Sequence, residues 1–164
     1  AINEKNITKP NEIFNYVRNE LIDSISKEGQ QDGFDGVLIC INTLTKEITY
    51  SAANNKPLLI SDREIQQLET DKMPVGKSVK EGMFRLFNIQ LRNSDTLYLF
   101  TDGYADQFGG PRGKKFKLNE LNKLLRSITH LPMIEQKQKL KEHFDLWKGD
   151  LEQVDDVLLF GIKI

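Results

Sequence analysis

The sequence predicts an α+β domain in which helices stack on an antiparallel sheet. Three patterns point there. Apolar residues recur at helical spacing early in the chain, strand-like alternation fills its middle, and helical spacing returns before a last apolar run. Strands grouped together and followed by helices indicate this class.

At 164 residues the chain suits one domain, 1–164, that can build a core without disulfides or structural metal. Hydrophobic residues make up 38% and charged residues 29%, a globular mixture rather than a disordered or fibrous one. A formal net charge of -1 gives no global field to recruit nucleic acid or an anionic membrane. The single cysteine, Cys40, excludes an internal disulfide framework and a Cys-rich zinc site. No stretch approaches the roughly 20 apolar residues of a membrane helix, and no signal-peptide pattern opens the chain. A reducing cytoplasm is the expected setting. The chain starts at Ala1 without an initiator methionine, which reads as a processed product or an excised piece.

The first element is an amphipathic helix. Thr8 is its expected N-cap, Pro10 lies in its first turn, and Ile13, Phe14, Val17, Leu21, Ile22 and Ile25 share one face. Glu12, Asn15, Asn19 and Asp23 are left for solvent, and Gly29 is the expected stop. The period then changes. Residues 37–41 read as a buried β-branched strand, with Ile48, Tyr50 and Ala52 on its hairpin partner. Residues 57–60 and 65–68 form a second hairpin around Ser61-Asp62, and residues 84–91 alternate again. Asn93-Ser94-Asp95 turns the chain into Leu97-Tyr98-Leu99-Phe100, whose continuous apolarity marks a central strand. Leu118, Leu121, Leu124 and Leu125 define a short helix. Pro132 opens a longer one, with Ile134, Leu140, Phe144 and Trp147 inward and Gly149 at its end. Residues 157–162 complete the chain as an interior strand.

Two acidic positions share a context. Asp102 follows a buried strand directly, with Gly103 behind it, and Asp155-Asp156 immediately precede another. If those strands are antiparallel neighbours, the carboxylates converge on one sheet edge. Hard cations such as magnesium and manganese prefer carboxylate oxygens, and strand ends hold ligands rigidly. Asp-Gly is also a common turn dipeptide, and paired aspartates before a strand are often solvated charge. Cys40 reads as a small hydrophobe within its strand. His130 and His143 lack metal-ligand spacing and read as surface or structural residues. The glycine- and lysine-rich run from Gly109 to Lys117 is either a flap for a phosphorylated partner or a mobile surface connection.

The string from Asp95 to Pro111, DTLYLFTDGYADQFGGP, resembles the C-terminal motif of stage II sporulation protein E-type serine/threonine phosphatases, members of the phosphatase 2C-like (PPM) superfamily. Ala53-Asn54-Asn55-Lys56-Pro57-Leu58-Leu59, Met73-Pro74-Val75-Gly76, Trp147-Lys148-Gly149 and Glu152-Gln153-Val154-Asp155-Asp156-Val157 resemble further family segments in the expected order. The resemblance implies a phosphatase 2C-like β-sandwich with flanking helices, here lacking its N-terminal strands. It implies that Asp102 and Asp155 are metal ligands and catalytic, and that Asp156 is a neighbouring ligand. Asp106 lies near enough to orient a ligand, or simply caps a turn.

The family's two earlier motifs, Gly-Asp and an Asp followed by Gly-His-Gly, have no counterpart; Asp32-Gly33-Phe34-Asp35-Gly36 differs in sequence and position. The resemblance therefore implies about half of an acidic shell for two Mn or Mg ions, and a fragment weakly active or inactive by itself. The implied partners are a phosphorylated signalling protein of the anti-sigma-antagonist type, an upstream sensor domain, and a second copy paired at exposed sheet edges. No nucleic acid or membrane contact is expected. A non-catalytic, phosphatase-like partner-binding module is the alternative.

Overall fold

The computed structural model describes residues 1–25, 33–79 and 82–163, without the side chain of Ile25. The helix stop expected at Gly29 lies outside the described residues. In chain order the elements are α1 (Ile2–Lys5), α2 (Pro10–Ile25), β1 (Gly33–Phe34), β2 (Gly36–Ile41), β3 (Glu47–Ala53), β4 (Leu58–Ser61), β5 (Glu64–Gln67), β6 (Val75–Gly76), β7 (Phe87–Gln90), β8 (Thr96–Phe100), α3 (Gly103–Asp106), β9 (Phe108–Gly109), β10 (Lys114–Lys115), α4 (Leu118–Ile128), α5 (Met133–Lys148) and β11 (Leu159–Lys163). They fall into two compact units. The first is Ala1–Pro57 with Gln67–Arg92; the second is Leu58–Gln66 with Asn93–Ile164.

The first unit holds an antiparallel sheet in the order β2-β3-β7 and the small pair β1-β6. Helix α2 lays Phe14, Val17 and Leu21 against Leu38, Ala53, Met73, Val75 and Phe84. Phe14 meets the rings of Phe34 and Phe84 edge-on. Because the helix starts at Pro10, its cap position falls on Lys9, whose carbonyl accepts the Ile13 N–H, rather than on Thr8. Two polar side chains of α2 also turn inward. Arg18 is buried and donates from Nε to the Gly76 carbonyl (3.0 Å) and from Nη1 to the Gly82 carbonyl (2.6 Å). Asn15, expected in solvent, accepts the Phe84 N–H at 2.9 Å.

This explains why only Phe87–Gln90 of the expected strand 84–91 pairs. The N–H of Phe84 goes to Asn15 and that of Arg85 to Asp71 Oδ2, so neither is left for a ladder. Strand β2 lies at the sheet edge and none of its residues is fully buried, so Cys40 is exposed rather than enclosed.

The second unit is a sheet in the order β11-β8-β4-β5 with helices on it. The β4–β5 hairpin turns through Asp62 and Arg63, both at positive φ (49° and 66°), the geometry that matches the twist of a two-residue hairpin loop. Strand β8 is interior, as its apolar run predicts. Leu58, Ile60 and Tyr98 of the sheet face Leu121, Leu125, Ile128, Leu140 and Phe144 of α4 and α5. The Tyr98 hydroxyl donates to Gln136 Oε1 (2.5 Å), and Gln136 Nε2 donates to the Leu131 carbonyl (2.9 Å), so this buried amide is satisfied within the helix layer.

Two expectations are corrected here. Strand β11 pairs only with β8 among the described residues and is an edge, not an interior strand; Leu158 and Phe160 are more than half exposed. Ile134 also faces outward, because two residues on, at about 200° around the helix, Gln136 takes the buried side against Tyr98.

The run 109–117 is a short hairpin fastened to α5. The Gly110 N–H donates to the Trp147 carbonyl (2.8 Å), the Trp147 indole N–H donates to the Gln107 carbonyl (3.1 Å), and buried Phe116 packs edge-on against Trp147 and Tyr104. Gly109 is required at this contact, since a Cβ there would lie 1.8 Å from the Trp147 carbonyl oxygen. Among the described residues no helix is long and apolar enough to cross a membrane.

Burial pushes the phenol of Tyr50 up to about 12, and those of Tyr98 and Tyr104 upward as well. A phenol whose folded pKa exceeds its unfolded value of about 10 stabilises the fold fully below that value and loses its contribution as pH rises through the folded pKa. Thermal melts between pH 9 and 12 should therefore show a falling Tm above pH 10. Tyr50→Phe should flatten part of that fall.

Candidate functional site

Antiparallel pairing of β8 with β11 puts Phe100 opposite Leu159, so the residues that follow β8 lie beside those that precede β11. The pairing continues past the regular ladder. The Thr101 N–H donates to the Leu158 carbonyl at 3.0 Å. The Thr101 hydroxyl donates to the Asp156 carbonyl at 2.8 Å and accepts the Leu158 N–H at 3.0 Å. Behind Asp102, Gly103 touches the same stretch: a Cβ on it would lie 2.4 Å from the Asp156 carbonyl oxygen and 3.3 Å from that of Asp155. Both neighbours of Asp102 are thus in contact with the backbone of 155–158, and only glycine fits at 103.

A second hold lies upstream. Gln107, fully buried, donates from Nε2 to the carbonyls of Glu152 (2.9 Å) and Phe108 (3.0 Å) and accepts the Val154 N–H on Oε1 (3.3 Å). The acidic stretch is gripped by Gln107 on one side and Thr101 on the other. Asp102, Asp155 and Asp156 are all exposed between these holds. Asp155 Oδ1 accepts the Asp156 N–H at 2.6 Å, and the Asp155 carbonyl accepts from Gln153 Nε2 at 2.7 Å.

The fold therefore brings the Asp102 turn alongside Asp155 and Asp156 at one end of the sheet. It does not add the other candidates. Asp106 pairs with Lys115 Nζ at 2.8 Å. Cys40 belongs to the first unit, His130 is exposed beyond the end of α4, and His143 stands edge-on to Phe116. Among the described residues no three or more His, Cys, Asp or Glu side chains are grouped to hold a metal. Thr101 and Gln107 were not singled out by sequence reasoning. Their only signal was proximity to Asp102, because a threonine in a strand and a glutamine after a turn look ordinary until their distant partners are known. Chemically, the edge offers exposed carboxylate oxygens, the donors that hard divalent cations take, as part of a coordination shell.

The fold is that of PP2C-like phosphatase domains. The chain matches the SiaA-PP2C domain of Pseudomonas aeruginosa with a TM-score of 0.85 at 23% identity, over 100% of this chain and 64% of that one. It matches the phosphatase domain of the cell fate determinant SpoIIE from Bacillus subtilis (Mn presoaked) with a TM-score of 0.59 at 15% identity, over 99% and 68% of the two chains. The catalytic domain of the serine threonine protein phosphatase PstP, in complex with 2 manganese ions, gives a TM-score of 0.57 at 16% identity, over 87% and 64%. Residues 3–164 match the family model for stage II sporulation protein E (SpoIIE), and the chain belongs to that family. It spans 64% of the length of the SiaA domain. No curated protein matches the chain.

Replacing buried Gln107 by leucine would leave the Val154 N–H and the carbonyls of Glu152 and Phe108 without this partner at nearly constant volume. Urea unfolding of this variant should show a loss of about 1–3 kcal/mol.

Proposed function

We propose that this chain is part of a metal-dependent protein serine/threonine phosphatase domain that hydrolyses a phosphorylated signalling protein. The observation that carries the reading is the adjacency of the Asp102 turn to the Asp155–Asp156 stretch at one end of the second unit's sheet. Membership of the SpoIIE family and the PP2C fold support the reaction class.

The donor set suits manganese or magnesium. It consists of carboxylate oxygens on exposed side chains, and no Cβ at position 103 crowds the backbone between them. Asp102, Asp155 and Asp156 are the residues that would hold the ion. When bound, such an ion lowers the pKa of an attacking water and offsets the charge of the phosphoryl oxygens. The contribution of this chain is positional. Thr101 and Gln107 fix the backbone from which Asp155 and Asp156 project, and the Asp156 N–H occupies one oxygen of Asp155, leaving the other to bind outward. These three acids supply about half of the acidic shell that the family resemblance implies for two ions, so the chain alone has weak or no activity. Its proposed setting is the cytoplasm. Its proposed partners are a phosphorylated protein of the anti-sigma-antagonist type and a sensor domain upstream.

A second reading, a non-catalytic phosphatase-like module that binds a partner, is favoured by the lack of any three-residue metal cluster among the described residues. Manganese-stimulated hydrolysis of a small phosphate ester, measured on the protein in its full natural length, separates the two. Asp102→Asn and Asp155→Asn should each nearly abolish it. Wild-type rates in both variants would remove these residues from the site, and no stimulated hydrolysis at all would favour the binding module.

The free edge of β11, with Leu158 and Phe160 exposed beside it, supports pairing with a second copy. Light scattering of this chain across micromolar concentrations should show a mass that rises toward the dimer. A constant monomer mass would exclude the pairing.

A further inference from the structure

The far end of the second unit's sheet carries a group of basic side chains, with Asp62, Glu64, Asp95 and Glu120 at or beside the same end. Strand β8 begins at Thr96, about 20 Å along the strand from Asp102 at the usual rise per residue. Thr129, just past α4, lies against that start, with its hydroxyl 3.3 Å from the hydroxyl of Thr96. A concavity of about 550 Å³ opens there, lined by Arg63, Lys123, Arg126, Ser127, Thr129 and His130. The lining brings together two guanidinium groups, an ammonium group, an imidazole and two hydroxyls, and it includes no carboxylate. Since the whole chain has a net charge of -1, this concentration does not follow from composition.

The nearby acids neutralise it only in part. Arg126 Nη2 stands 3.7 Å from Glu64 and Lys123 Nζ stands 2.7 Å from Glu120, both in solvent-exposed pairs of the kind that contribute little. The side chain of Arg63 has no hydrogen bond or ion pair among the described residues. Cations near the C-terminus of a helix can be explained by its dipole, and that accounts for Arg126 and His130 at the end of α4. It does not account for Arg63. That residue comes from a different element, the β4–β5 turn, where its backbone is left-handed, and it lines the same concavity. Guanidinium groups approaching from two elements match the tetrahedral oxygens of a phosphate group.

We infer that this concavity is a binding site for a phosphate-class oxyanion, gripped by Arg63 and Arg126, with Lys123 and His130 at its rim. Its volume exceeds that of a bare ion, so a phosphorylated side chain with its adjoining backbone fits as well as free phosphate. The site is independent of Asp102 and Asp155 and needs no metal.

Isothermal titration calorimetry of this chain in EDTA, which silences any metal-borne phosphate binding at the acidic end, tests the inference. The probes are inorganic phosphate, a short phosphoserine peptide and its unphosphorylated counterpart. The expected result is saturable binding of the phosphorylated probes, weakened at least tenfold in Arg63→Ala/Arg126→Ala and unchanged in Asp102→Asn. Tighter binding of the phosphopeptide than of phosphate identifies a phosphoprotein as the ligand; equal binding identifies the free ion. Both arginines are exposed, so the double variant should keep the wild-type circular dichroism and Tm. Arg63→Lys, which keeps the charge and loses the fork, should give intermediate affinity. No saturable binding in EDTA would overturn the site. So would binding that survives the double substitution, or that chloride at equal ionic strength competes away as effectively as phosphate does.

Discussion

The second unit depends on the pairing of β8 with β11 and on its continuation through Thr101. Backbone bonds end with the Thr101 N–H on the Leu158 carbonyl, and beyond that point they do not hold the chains together. The Thr101 hydroxyl does so by bonding the Leu158 N–H and the Asp156 carbonyl together. Because Asp102 is the next residue, the turn that carries it is held to the Asp155–Asp156 stretch. Gly103 extends the contact by approaching closer than any side chain would allow. The two stretches are thus held together by hydrogen bonds of Thr101, which do not depend on a bound ion.

The rest of the unit serves the same contact from behind. Tyr98, in the middle of β8, is held through its hydroxyl to Gln136, and the hydroxyl of Tyr104 reaches the Leu140 carbonyl. Both are tied to α5. The other end of α5 carries Trp147, whose carbonyl meets Gly110 and whose indole meets Gln107. One helix thus fixes the strand before Asp102, the turn after it and the hairpin beyond. The run of glycines and lysines that reads in sequence as a loose flap is held at its base by an aromatic cluster of Tyr104, Phe116, Phe144 and Trp147.

Much of this was legible in the sequence, and the failures have physical reasons. The early helix, both hairpins, the interior position of β8 and the two late helices follow from local periodicity, a property of neighbouring residues. The acidic pair was legible because it takes only an aspartate at each of two strand ends, plus antiparallel neighbours. Misreadings arose where burial depends on what lies across the sheet. Residues 157–162 are apolar enough for an interior strand, yet among the described residues β11 has a partner on one side only. Cys40 is flanked by isoleucines, yet sits in an edge strand. Residues 84–91 alternate in sequence, but the donors of Phe84 and Arg85 are taken by Asn15 and Asp71, side chains far away in sequence. Thr101, Gln107 and Arg18 were invisible for the same reason: each is polar, unremarkable locally, and defined by partners more than 40 positions distant.

Gln107 has a further consequence for how this chain can change length. Its backbone carbonyl holds the Trp147 indole while its side chain holds residues 152–154, so the connection from α5 to the acidic stretch is anchored at both ends by one residue. Between the anchors lies an exposed turn at Gly149 and Asp150, where extra residues would bulge into solvent without shifting either anchor. One residue added between Asp156 and Leu158 has no such outlet. It would slide β11 by a single step and turn each of its side chains to the opposite face of the sheet.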